Sequence, residues 1–115
     1  MHEYSIVTAL MKQVEAHAAA NGASSVLRLS VSIGELSGVD AYLLSAAWET
    51  FRERTICEGA SLDIRTVEAR WKCTGCGREI VRGQILQCPD CGLPARLSSG
   101  DEILLERIEM EVANV

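Results

Sequence analysis

The stretch "VLRLSVSIGELSGVDAYLLSAAWETFRER", residues 26–54, carries two different periodicities in succession. Its first eight residues alternate, with Leu27, Leu29, Val31 and Ile33 on one face and Arg28, Ser30 and Ser32 on the other, the period of two that marks a half-buried strand. After Gly34 the period changes. Leu43, Leu44, Ala47, Trp48 and Phe51 fall on one helical face, Asp40 stands as the N-cap, and Val39 and Leu44 are spaced for a hydrophobic staple across it. A one-faced strand followed by a one-faced helix buries both apolar surfaces only when the helix lies on a sheet, so the expected class is an α/β layer.

Working outward, Ile6, Val7, Leu10, Met11, Val14 and Ala18 give another helical stripe, ended by "ANG" at 20–22. On the other side, "LDIRTVEARW" (62–71) has Leu62 and Ile64 in one phase but Val67, Ala69 and Trp71 in the other, which predicts a bulge near Thr66. A last strand is expected in "ILLERIEMEV" (103–112), where Ile108, Met110 and Val112 alternate with Arg107, Glu109 and Glu111. Between these two strands lies a stretch rich in glycine, with both prolines and four cysteines, which cannot extend an apolar core. The predicted architecture is two helices packed on a three-stranded mixed sheet formed by residues 1–70 plus 99–115, with an inserted zinc-ribbon-like lobe at 71–98. Strands 61–70 and 103–112 are expected to be antiparallel neighbours, because the lobe brings its two ends together.

The 115 residues suffice for one main core and no second one of similar size. A composition 48% hydrophobic and 23% charged is that of a globular protein, and no apolar run approaches the roughly 18 residues of a membrane span. Glu3 stands where a signal peptide carries positive charge, and Lys12 and Gln13 interrupt the apolar stretch that would follow, so a cytoplasmic protein without membrane contact is expected. A formal charge of −5 opposes the phosphate neutralisation on which nucleic-acid binding rests.

Cys73 and Cys76 form one CxxC and Cys88 and Cys91 a second. The two-residue spacing lets both sulfurs of a turn face one ion, and Gly77 and Gly92, just after the second cysteine of each pair, accept the backbone angles this needs. Four thiolates select zinc or iron, and the polar surroundings Arg78, Glu79, Arg82 and Gln84 favour zinc over a rubredoxin-like iron centre. With four protein ligands and no open position, such a site is structural rather than catalytic. Zinc bound by four thiolates carries a charge of about −2, and Arg70, Lys72, Arg78, Arg82 and Arg96 against Glu79 and Asp90 are expected to balance it. The fifth cysteine, Cys57, has no histidine near it in sequence and reads as a small buried hydrophobe.

The chain starts "MHE". An ion bound to the deprotonated amide of His2 closes a six-membered ring with the Nδ1 of that residue, and a five-membered ring with either the Met1 amine or the Glu3 amide. Three nitrogens in one plane suit square-planar Ni(II) or Cu(II), not tetrahedral zinc. The alternative is a solvated terminus. His17, the other imidazole, lies roughly 20 Å along the first helix from that turn and cannot complete such a set.

The start "MHEYSIVTALM", the stretch "VSIGELSGVDAYLLSAAWETF", the pairs "CTGCG" and "CPDCG" and the ending "GDEILLERIEMEV" together resemble the hydrogenase maturation nickel metallochaperones, the HypA/HybF family. The resemblance implies that residues 1–70 plus 99–115 are a nickel-binding α/β domain, with His2 the nickel ligand and Met1 and Glu3 contributing main-chain nitrogen or, for Glu3, a supporting carboxylate. It implies that Cys73, Cys76, Cys88 and Cys91 hold structural Zn(II), and that Ni(II) is bound only transiently. It further implies no enzyme activity of its own. The implied partners are a nickel maturation GTPase, the [NiFe]-hydrogenase large subunit and, as in some relatives, urease maturation proteins. A zinc-ribbon adaptor that carries no nickel is the competing reading; only two Trp, two Tyr and one Phe speak against its binding nucleic acid.

Overall fold

In the computed structural model, residues 2–112 are described, His2 by its backbone alone. The first helix, α1 (His2–Ala20), ends where the Asn21 side chain and amide both donate to the His17 carbonyl and Gly22 takes a φ of 64°. That left-handed turn is easy for glycine and releases the chain into β1 (Ala23–Gly34). The second helix, α2 (Ala41–Phe51), opens on Asp40, whose Oδ1 accepts from the Leu43 amide at 3.1 Å. The parallel strand β2 (Ser61–Val67) follows.

These elements form the sheet β2-β1-β6, where β6 is Ile103–Val112, with β1 parallel to β2 and antiparallel to β6. The two helices and the sheet share one core of Val7, Leu10, Met11, Val14, Ala18, Val26, Leu29, Val31, Ile33, Leu44, Ala47, Trp48, Cys57 and Ala60. The buried Trp48 indole donates to the Ala60 carbonyl at 3.0 Å and so holds the turn that leads into β2.

Strands 61–67 and 103–112 are therefore not the antiparallel neighbours expected from the sequence; β1 stands between them. The reason is α2. A helical crossover delivers the chain back to the sheet beside and parallel to the strand it left, so β2 takes one edge of β1 and only the other remains for β6. The two ends of the insertion still meet, across the end of β1: Gly34 pairs with Val67, and its amide donates to Glu102 at 2.8 Å.

The phase change in 62–71 is also not a bulge. Pairing of β2 with β1 runs without a register shift to Val67, after which the chain leaves for β3 (Arg70–Cys73) in a second sheet, ordered β4-β3-β5, with β4 at Glu79–Ile80 and β5 at Ala95–Ser99. Bulges lie instead between β1 and β6, at Ser24, Leu27 and Glu106, and in β5 opposite β3, at Ser98. The β1 bulge at Leu27 breaks the apparent alternation: Val26 is buried and Leu27 is 51% exposed. On α2, Leu44, Ala47 and Trp48 face the core, whereas Leu43 is exposed and Phe51 packs edge-on against Tyr4 with ring centroids 5.2 Å apart. The molecule is extended, 60 × 32 × 16 Å, with a Cα radius of gyration of 18.3 Å.

Candidate metal centre

Two tight turns build the cysteine site in the same way. The Cys73 amide donates to the Arg78 carbonyl at 2.8 Å, the Gly77 amide donates back to the Cys73 carbonyl at 3.1 Å, and the Cys73 sulfur accepts from the Cys76 amide at 3.4 Å. In the second turn the Cys88 amide donates to Leu93 at 2.9 Å, Gly92 donates to Cys88 at 2.9 Å, and the Cys88 sulfur accepts from the Cys91 amide at 3.4 Å. Gly77 and Gly92 have φ values of 77° and 69°, which explains why glycine closes each turn.

These turns bring all four sulfurs within 4.8 Å of one another, with Cys76 and Cys88 Sγ 3.9 Å apart. Sulfurs about 2.3 Å from a tetrahedral zinc lie about 3.8 Å apart, so the spacing fits zinc. Cys73 and Cys88 are buried, and Cys76 and Cys91 face solvent. The amides of Cys76 and then Gly75 pull the Cys73 thiol down to about 6, whereas the sulfurs of Cys76, Cys73 and Cys88 push the Cys91 thiol up to about 12. Four thiolates this close repel one another, and a divalent cation at their centre removes that penalty.

The surrounding basic residues are only partly a counter-charge for the sulfurs. Arg78 pairs with Asp90, linking the two turns, Arg70 pairs with Glu79 at 3.4 Å, and Arg82 pairs with Glu35 outside the lobe. The Glu35 pairing had no signal in the sequence, because two surface charges far apart in the chain carry no shared periodicity.

At the other candidate site, Met1 and the His2 side chain lie outside the described residues. The His2 backbone opens α1, so the His2 and Glu3 amides belong to the first turn, where N–H groups have no partner within the helix. The Glu3 carboxylate accepts from the Asp40 amide at 3.4 Å, tying the start of α1 to the start of α2. His17 is exposed. Cys57 is fully buried in the core, and burial pushes its thiol up to about 11, so it is no nucleophile.

A family described as "Hydrogenase/urease nickel incorporation, metallochaperone, hypA" matches residues 1–110. The chain belongs to the HypA family. The hydrogenase maturation factor HypA of Aquifex aeolicus is 41% identical over 114 residues, covering 97% of this chain and 99% of the relative. HypA of Shewanella oneidensis is 42% identical over 115 residues, covering 98% of each. Among solved structures, a HypA solution structure superposes with a TM-score of 0.82 at 34% identity, covering 98% of each chain. That of the nickel metallochaperone HypA from Helicobacter pylori gives 0.73 at 33%, covering 96% of this chain and 98% of the other. The HypA likeness thus spans the sheet, both helices and the four-cysteine lobe.

Proposed function

We propose that this chain binds Ni(II) at its amino terminus and, with a maturation GTPase, delivers it to the large subunit of [NiFe]-hydrogenase, with urease maturation proteins as further partners. The observation that carries the reading is the match of a nickel-incorporation metallochaperone family to residues 1–110, which include the MHE terminus. The proposed nickel ligands are His2, through its imidazole and amide, with main-chain nitrogen from Met1 or Glu3. The first-turn amides of α1 need break no helical hydrogen bond to lose their protons to a metal. The Glu3 carboxylate, engaged with the Asp40 amide, acts as a support that fixes the turn.

Cys73, Cys76, Cys88 and Cys91 are the proposed ligands of a structural zinc ion, in a lobe of residues 71–98 set apart from a nickel-binding domain of residues 1–70 plus 99–115. The chain performs no chemistry on a substrate and works in the cytoplasm; among the described residues no helix is long and apolar enough to cross a membrane. Calorimetric nickel titration of untagged, zinc-loaded protein tests the reading. One Ni(II) per chain is expected for the wild type and none for His2→Ala. Equal nickel binding by both proteins rejects the amino-terminal site and leaves the zinc-ribbon adaptor as the better description.

A further inference from the structure

The four-cysteine lobe has its own sheet, and the chain crosses between lobe and larger sheet twice, at Glu68–Ala69 and at Gly100–Glu102. The crossing is narrow. A Cβ on Gly34 would lie 2.2 Å from the Gly100 carbonyl, and one on Gly100, whose φ is 101°, would lie 2.5 Å from the Ala69 Cα. Backbone stacks on backbone here, with the Leu36 amide donating to the Gly100 carbonyl at 2.7 Å and the Ser99 hydroxyl donating to the Glu68 carbonyl at 3.4 Å, so the angle at which the lobe leaves depends on contacts further out.

One ion pair spans the two sides. Arg82, in the loop after β4, meets Glu35, just past the end of β1, through two guanidinium nitrogens, with Nη1 2.7 Å from Oε1 and Nη2 on Oε2. Oε1 also accepts from the Ala69 amide at 2.9 Å, so the same carboxylate grips the crossing itself. Among the described residues this is the ion pair that joins lobe to sheet. The others stay within one side: Arg28 with Asp63 and Glu109, Arg65 with Glu106, and Arg107 with Glu109 in the large sheet, and Arg70 with Glu79 and Arg78 with Asp90 in the lobe.

A fork of two parallel hydrogen bonds fixes direction as well as distance, which a single-point charge pair does not. Both side chains are substantially exposed, at 61% and 31%, so the pair adds little to folding stability. Orientation needs less. A weak contact suffices to choose between two arrangements of a lobe already held by two backbone crossings, and it opens readily when something competes for either charge. We propose that the Arg82–Glu35 fork is a clasp that sets the orientation of the four-cysteine lobe on the α/β layer, and that opening it frees the lobe to swing about the Gly34–Gly100 stack. The device does not depend on which metal the amino terminus carries.

The test is residual dipolar couplings on the full, zinc-loaded chain, with one zinc per chain confirmed in each protein to show that the lobe is folded. Wild-type couplings from residues 2–67 and 70–99 should fit a single alignment tensor. In Arg82→Gln and in Glu35→Gln the two segments should require separate tensors, and the double variant should resemble either single one. Arg82→Lys, which keeps the charge and loses the fork, should also separate them. A single tensor retained in both glutamine variants overturns the clasp, as does a double variant whose segments diverge further than in either alone.

Discussion

Glu35 is a carboxylate held by a fork and a backbone amide at once, and its acid–base behaviour follows. The hydrogen bonds from Arg82, then from Ala69, lower its pKa to about 2. Since the folded value lies below the ordinary one, the contact stabilises fully above the usual carboxylate range and is lost as pH falls through about 2. A carboxyl-carbon NMR titration should find Glu35 still ionised at pH 3.5, and its midpoint should rise in Arg82→Gln. Gly34 is the other residue with an outsized role at this point, because any side chain there meets the Gly100 backbone and not a movable group. Gly34→Ala should cost about 1–3 kcal/mol in denaturant unfolding, as other forced overpacking does, whereas Gly22→Ala, with open space around it, should cost less despite its positive φ.

At the scale of elements, the proposed zinc site and the sheet–helix layer rest on different forces. Zinc in small modules contributes on the order of 10 kcal/mol to folding, while the core of the larger sheet is closed by its own apolar faces. Cys73→Ser or Cys88→Ser should therefore lose zinc by metal analysis and lose the amide dispersion of residues 70–99, while Leu29, Val31 and Leu44 keep native chemical shifts. Full zinc retention in both variants would refute the four-cysteine assignment. Removing the α2 cap by Asp40→Ala should cost about 1 kcal/mol. The elements were legible where one force wrote them: helical stripes in α1 and α2, the cap at Asp40, the doubled CxxC. They were misread where two faces competed. Leu27 continues an alternation in sequence, but a bulge rotates it to solvent and buries Val26 instead. The phase change at Val67 looks like a bulge because local pattern does not distinguish a kinked strand from a chain changing sheets. Strand order depended on the α2 crossover, a constraint between elements that no single stretch contains.

At the scale of the whole molecule, the two proposals rest on different grounds: the amino-terminal nickel site on a local chelating sequence and the family match, the clasp only on contacts in the folded chain. Nickel binding by the terminal nitrogens must displace protons, from the His2 amide, from the imidazole with its reference pKa of about 6.5 and, where used, from an amine near 8. Apparent nickel affinity should thus rise from mildly acid to mildly alkaline pH, and acidification should favour release. Calorimetry in buffers of different ionisation enthalpy counts the protons, and a pH-independent affinity would contradict the nitrogen set. One short extension before Met1 separates the two sets, destroying a site built on the amine and sparing one built on the His2 and Glu3 amides. The extended outline has a hydrodynamic consequence. A compact chain of 115 residues has a radius of gyration of about 13 Å, and 18.3 Å is the value for a compact chain of roughly 260. A single copy should therefore leave a gel-filtration column where a globular dimer would, while light scattering on the same peak returns 12.5 kDa.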